Sequence, residues 1–306
     1  MWNDKKYHTF DYEMKKIFKE KAIKLSIDGG FTCPNRDGTV GKKGCIFCSE
    51  RGSGDFNSDK HKSITEQIEE QKQVMSKKWK SSTFIAYFQS YTNTYDSVEN
   101  LRKKFYEAMS CENIKALAIA TRPDCIDSEI LELLEEISSK TLLWVELGLQ
   151  SISDKTASFL RRGYKLEQFN AAYAMLKSKN INTVVHLILG IPGETKEDIL
   201  DSVKLISEKK PWGVKLHMLH VLKNTDLALY YEKTNFSLLT QEEYVELVCD
   251  ALELLHPETV VHRLTGDGKK SDLIEPRWTL NKLKVLSDID RELKLRESFQ
   301  GKKIPL

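Results

Sequence analysis

Residues 142–151 read LLWVELGLQS, and residues 183–195 read TVVHLILGIPGET. Each stretch opens on a nearly continuous run of aliphatic and aromatic residues and closes on small and polar ones. Runs this short and this rich in branched residues suit strands covered on both faces, as in a parallel sheet. One ionisable residue interrupts each run, Glu146 in the first and His186 in the second. Burying either without a partner is costly, so both are expected to face a polar interior.

Outward from these two stretches the pattern repeats. Further runs occupy 22–28, 83–88, 114–120 and 214–222, six in all. Segments with helical spacing lie between them, at 64–77, 98–109, 128–138, 166–177 and 196–207. Asp127 stands where an N-cap belongs, and Glu194, Glu197 and Asp198 put acids near a helix start, where the macrodipole favours them. Strand alternating with helix implies right-handed βαβ units. The fold class is therefore α/β, a partial (β/α)6 TIM-like barrel. Beyond the sixth run, 241–255 and 280–298 read as helices, with a short extended piece around 259–264, and no clear linker sets this tail apart. The expected organisation is an N-terminal extension at 1–20, the barrel at 21–235 and a C-terminal helical cap at 236–306. In such barrels the chemistry sits in loops after the strands' C-terminal ends.

Composition narrows the class. Of 306 residues, 40% are hydrophobic and 30% charged, enough for a core and against disorder. No stretch approaches the roughly 20 apolar residues of a membrane span, and no apolar segment follows the N-terminal charges as in a secretory signal. A cytoplasmic protein is expected. The net charge of +2 hides a division: residues 1–50 carry net +3, residues 262–306 net +4, and the middle is acidic.

The first run leads into DGGFTCPNRDGTVGKKGCIFCSERGSGDF, in which Cys33, Cys45 and Cys48 are spaced C-x11-C-x2-C. Its glycines, Gly54 among them, let backbone wrap a compact group, and Lys42, Lys43 and Arg51 favour thiolates. Spacing alone leaves three readings open. Three thiolates can hold an iron–sulfur cluster with one iron free. They can hold zinc with a fourth ligand, for which His61 is the nearest candidate. They can also be plain thiols.

CPNRDGTVGKKGCIFC after a first strand resembles the radical S-adenosylmethionine (SAM) superfamily. The long first spacing departs from its commonest pattern. It is similar to the Elp3-like branch, and most of all to the YtqA/YhcC-type family, over about residues 21–300. The resemblance implies a radical SAM barrel with a [4Fe–4S] cluster on Cys33, Cys45 and Cys48. It also implies SAM contacts at successive strand ends. Gln89 and Ser90 of YFQSYTNTY stand where relatives carry a Gly-Gly motif, a departure. Thr121 of ATRPDCID matches a polar SAM contact. Gln150 matches the Gln of a G-x-Q-S motif, and Arg162 of LRRGY is the candidate for the SAM carboxylate. GIPGET matches G-x-P-G-[EQ]-T. His186 stands where relatives often have Asp facing SAM, and Glu146 is expected to reach a ligand in the lumen.

The same resemblance implies a substrate. Members of the Elp3-like branch act on C5 of wobble uridine in tRNA, and the YtqA-like subgroup is associated with converting carboxymethylaminomethyluridine towards aminomethyluridine. The residues after the sixth run are too few for the acetyltransferase domain that Elp3 carries. An electron donor such as flavodoxin or ferredoxin is implied too. For RNA, HRLTGDGKK at 262–270 is the best candidate loop, with Arg263, Lys269 and Lys270 for phosphates and Arg277 and Trp278 for a base. The competing readings are a radical SAM enzyme acting on a small molecule and a zinc-stabilised RNA-binding protein.

Overall fold

The computed structural model describes residues 2–52, 61–266 and 268–304; Gly54 and Asp267, named above, lie outside the described residues. Seven strands form one all-parallel sheet: β1 (Ala22–Ile27), β2 (Thr83–Phe88), β3 (Ile114–Thr121), β4 (Leu142–Gln150), β5 (Asn182–Leu189), β6 (Gly213–Met218) and β8 (Val260–Arg263), in that spatial order. Helices α3 (Ile64–Ser76), α4 (Val98–Ser110), α5 (Ser128–Ser138), α7 (Leu166–Ser178) and α8 (Lys196–Lys209) make the crossovers. Their starts are fixed by side chains foreseen in the sequence. Asp127 accepts from Ile130 N at 2.9 Å to cap α5. Thr195 and Asp198 form a reciprocal capping box on α8.

The α/β partial barrel is as expected, but its sheet has seven strands rather than six. The extended piece expected within the cap is the seventh. Four residues with only two apolar ones, Val260 and Val261, are too few for periodicity to place them in the sheet. The run at 214–222 also divides. Its end forms β7 (Val221–Leu222), which turns away to pair antiparallel with β9 (Leu273–Glu275). Short helices α2 (Pro34–Asp37), α6 (Asp154–Phe159) and α9 (Asp226–Thr234) were not anticipated. Helices α10 (Gln241–Leu254) and α11 (Lys282–Leu295) pack on each other, and α10 lies against α8.

The sheet curls until its two edges approach. Lys24 Nζ of β1 lies 3.5 Å from His262 Nδ1 of β8, although the two strands share no ladder. Helix α1 (Phe10–Phe18), within the expected N-terminal extension, fills the gap, touching both edge strands. Its residues Phe10, Met14 and Phe18 recur every fourth position and make one apolar stripe. Met14 is almost wholly buried among Ala22, Ile85, Trp144 and Val184, where it floors the barrel.

Candidate active site

Above that floor lies a layer of charge. Glu146 alternates inward from Trp144 on β4 and is 1% exposed. Its carboxylate accepts from Trp144 Nε1 (3.1 Å), Tyr87 OH (2.7 Å), His186 Nε2 (2.9 Å) and Lys215 Nζ. Lys24 Nζ stands 3.6 Å away, over the rings of Phe10, Tyr87 and Trp144. Burial works against the charge of Glu146, but Lys215 and Lys24 hold it well below the usual carboxylate range. Burial lowers Lys215, and it lowers Lys24 to about 8. Burial and the charge of Lys215 push His186 down to about 4, so its ring is neutral at neutral pH. Glu146 and His186 are thus brought together as partners of each other. Lys24 and Tyr87, not singled out from the sequence, complete the layer.

The strand ends carry the rest. Cys33 occupies the N-cap position of α2, its carbonyl accepting from Arg36 N at 2.8 Å, and Cys48 N bonds back to Cys45 O at 3.1 Å. None of the three is in a disulfide, and all are partly exposed. Asn35 holds their loop: its amide donates to Arg161 O (2.6 Å) and approaches Cys45 Sγ (3.6 Å). Arg36 Nη2 donates to Cys48 O (3.0 Å) and Ser49 O (2.6 Å). Although burial opposes it, the Cys48 and Cys33 sulfurs hold Arg36 above its ordinary value. Burial, with Cys48 and Cys33 close by, pushes the Cys45 thiol up to about 12, so an electropositive metal centre is what would deprotonate it. Gly41 and Gly44 let the loop close on itself, since a Cβ would meet Asn35 Oδ1 at 2.3 Å or Arg36 Nε at 2.9 Å. Three thiols on one pinned loop, with an amide donor at one sulfur, fit an iron–sulfur cluster. Among the described residues, no three His, Cys, Asp or Glu side chains converge as a single metal ion would need.

The TNT segment, Thr92 to Thr94, makes a turn closed by Tyr95 N donating to Thr92 O at 3.1 Å, and all three of its residues are buried. Asn93 donates through Nδ2 to Ala120 O at 2.7 Å, and its Oδ1 is buried without a partner. The Thr121 hydroxyl meets that of Thr94 at 2.5 Å. Ser90 is buried and Gln89 half-buried at the end of β2. Gln150 ends β4 in the left-handed region (φ 61°), its side chain near Tyr164 OH (3.3 Å). Arg162 is buried and spends Nε on Tyr164 O (3.0 Å) and Nη1 on Ser151 O (2.8 Å) and Leu149 O; its Nη2 is buried without a partner. Arg122 forks onto Asp124 (3.0 and 2.7 Å). Cys125 lines a cavity of about 510 Å³ beside the thiol loop, and burial pushes it up to about 12.

Of the residues named for RNA, Lys269, Lys270 and Arg277 are exposed. Arg263 ends β8, where its charge is felt by Lys24 and Lys215. Trp278 is half-buried, donating to Leu239 O at 3.1 Å and packed on Tyr244.

The chain was compared with known proteins. YtqA of Bacillus subtilis is 42% identical over 299 residues, 98% of this chain and 93% of that one. The tRNA uridine(34) acetyltransferase of Methanocaldococcus jannaschii is 31% identical over 156 residues, half of this chain and 28% of that one. The archaeal Elp3 structure from Methanocaldococcus infernus shares the fold, with a TM-score of 0.69 at 16% identity over 91% of this chain. The chain spans 64% of that structure's length. No helix among the described residues is long and apolar enough to cross a membrane. Residues 33–206 match the radical SAM superfamily and residues 211–295 its C-terminal domain, so the chain belongs to the radical SAM superfamily.

Proposed function

We propose that this radical SAM enzyme acts on tRNA, remodelling the C5 side chain of wobble uridine from carboxymethylaminomethyl towards aminomethyl. The observation that carries the reading is the likeness of half the chain to a tRNA uridine(34) acetyltransferase. Cys33, Cys45 and Cys48 would hold the cluster. When bound, a [4Fe–4S] cluster and SAM supply a 5′-deoxyadenosyl radical that takes hydrogen from the substrate. The chain's own residues position and shield. Asn35 and Arg36 fix the loop by its carbonyls. The unpartnered Arg162 Nη2 and Asn93 Oδ1, with Gln89, Ser90, Thr121 and Gln150, supply polar atoms at the strand ends for SAM. Residues 21–235 together with β8 would form the catalytic barrel, and the rest of 236–306 its cap. The wall of seven strands, with α1 closing the seam, shields the lumen from the sides.

The test compares the modified nucleosides of total tRNA with and without the gene. Loss of the gene is expected to raise carboxymethylaminomethyluridine and lower aminomethyluridine. An unchanged wobble-uridine profile contradicts the reading.

A further inference from the structure

Two consecutive residues of α2 turn back onto the thiol loop, one neutral and one charged. The neutral one, Asn35, holds Arg161 O at 2.6 Å and approaches Cys45 Sγ at 3.6 Å with the same amide nitrogen. The charged one, Arg36, folds across Gly44, where an added Cβ would stand 2.9 Å from its Nε. Its Nη2 donates to Cys48 O (3.0 Å) and Ser49 O (2.6 Å). Carbonyls need only a donor, as Asn35 shows, so these bonds account for the place of Arg36 but not for its charge.

A cation partly withdrawn from water ordinarily meets a carboxylate. Arg122 forks onto Asp124, and Arg161 pairs with Asp226. Asp37, next to Arg36 in the chain, turns away to accept from Thr39 N at 3.0 Å. Among the described residues, Arg36 is in no ion pair. Burial opposes its charge, yet the Cys48 sulfur first, then Tyr91 and the Cys33 sulfur, hold it above its ordinary value. Tyr91, from the loop after β2, sets its ring 5.6 Å from the guanidinium carbon. The charge of Arg36 is therefore directed at the thiols. An iron–sulfur cluster gains one negative charge on reduction, and a fixed cation beside its ligands favours that state.

We propose that Arg36 sets the reduction potential of the cluster on Cys33, Cys45 and Cys48, its charge favouring the reduced state. It is a positioning residue that acts through the ligand sulfurs. An electron donor can then load the cluster at a higher potential than the thiolate loop alone would allow. The proposal rests on the three thiols as cluster ligands and is independent of which substrate is attacked.

The test is a redox titration of the full chain, reconstituted anaerobically without SAM and followed by the electron paramagnetic resonance of the reduced cluster. Wild type, Arg36→Gln and Arg36→Lys are compared at equal iron and sulfide per chain. Glutamine keeps an amide donor for the carbonyls and drops the charge. At the wild-type midpoint, Arg36→Gln is expected to lower the ratio of reduced to oxidised cluster about tenfold, 59 mV for a one-electron couple. Arg36→Lys, which keeps the charge but not the planar fork, should restore most of the potential. If Arg36→Gln does not hold a cluster, replacement of Arg36 by citrulline keeps the shape and donors without the charge. An unshifted midpoint, a shift to higher potential, or equal shifts in the neutral variant and Arg36→Lys overturns the proposal. A wild-type chain that takes up no iron and sulfide sinks the ligand assignment and this proposal with it. A loaded chain whose potential ignores the charge at position 36 sinks this proposal alone.

Discussion

Glu146 is stable in the lumen only because four donors meet it, and each donor is held by a different strand. His186 is the one of them that titrates on the acid side. Its ring stays neutral in the fold down to about pH 4, whereas an unfolded histidine takes its proton near pH 6.5. Below that value the unfolded state binds more protons, so stability falls as pH drops from about 6.5 to 4. Urea unfolding across that window should show a loss on the order of 2–3 kcal/mol, and His186→Asn should flatten it. Glu146→Gln leaves Lys215 and Lys24 buried without a counter-charge and should cost about 3–5 kcal/mol. Glu146 and His186 were legible because they interrupt apolar runs. Lys24 and Tyr87 were not. In AIKLSI a lysine at an alternate position reads as the solvent side of a strand, and only the curl of the sheet turns that face inward.

Elements with long periodic patterns were legible almost to the residue. β2 and α5 have the expected bounds, and β4 and β5, whose apolar runs occupy 142–149 and 183–189, differ from them by one residue. What escaped was short. Helix α1 has nine residues and β8 four, and neither offers enough repeats to reveal its period. Yet α1 closes the barrel. Met14→Ala should cost about 2–4 kcal/mol in chemical unfolding, the usual range for emptying a buried methionine site; a loss within 0.5 kcal/mol would mean α1 is a loose appendage. The loop of α2 depends on a contact no local pattern shows, Asn35 to Arg161 O across 126 residues. Asn35→Leu should lower iron retained per chain several-fold after anaerobic reconstitution, with little change in thermal stability.

For the whole molecule, the charge division in the sequence takes on a position. The two termini meet at the N-terminal end of the sheet, opposite the thiols: His8 N donates to Gln300 Oε1 (2.8 Å), and Gln300 Nε2 to Thr259 O (2.8 Å), just before β8. Exposed cations in the strand-end loops include Lys42, Lys43, Arg51, Lys269 and Lys270. Lys269→Ala with Lys270→Ala should therefore weaken tRNA binding and reduce the slope of log affinity against log salt by about 2. An unchanged slope would remove this loop from the footprint. Position along the chain could not show this, because folding decides which basic segments share the mouth.

The central claim is that three thiols at the end of β1 hold the cluster of a radical SAM enzyme. Its most direct test is anaerobic reconstitution followed by iron, sulfide and 5′-deoxyadenosine analysis. The expected result is about four iron and four sulfide per chain and reductive SAM cleavage, both lost when Cys33, Cys45 and Cys48 are replaced together by Ala. Stoichiometric zinc without iron or sulfide, or SAM cleavage that survives the triple replacement, would contradict it.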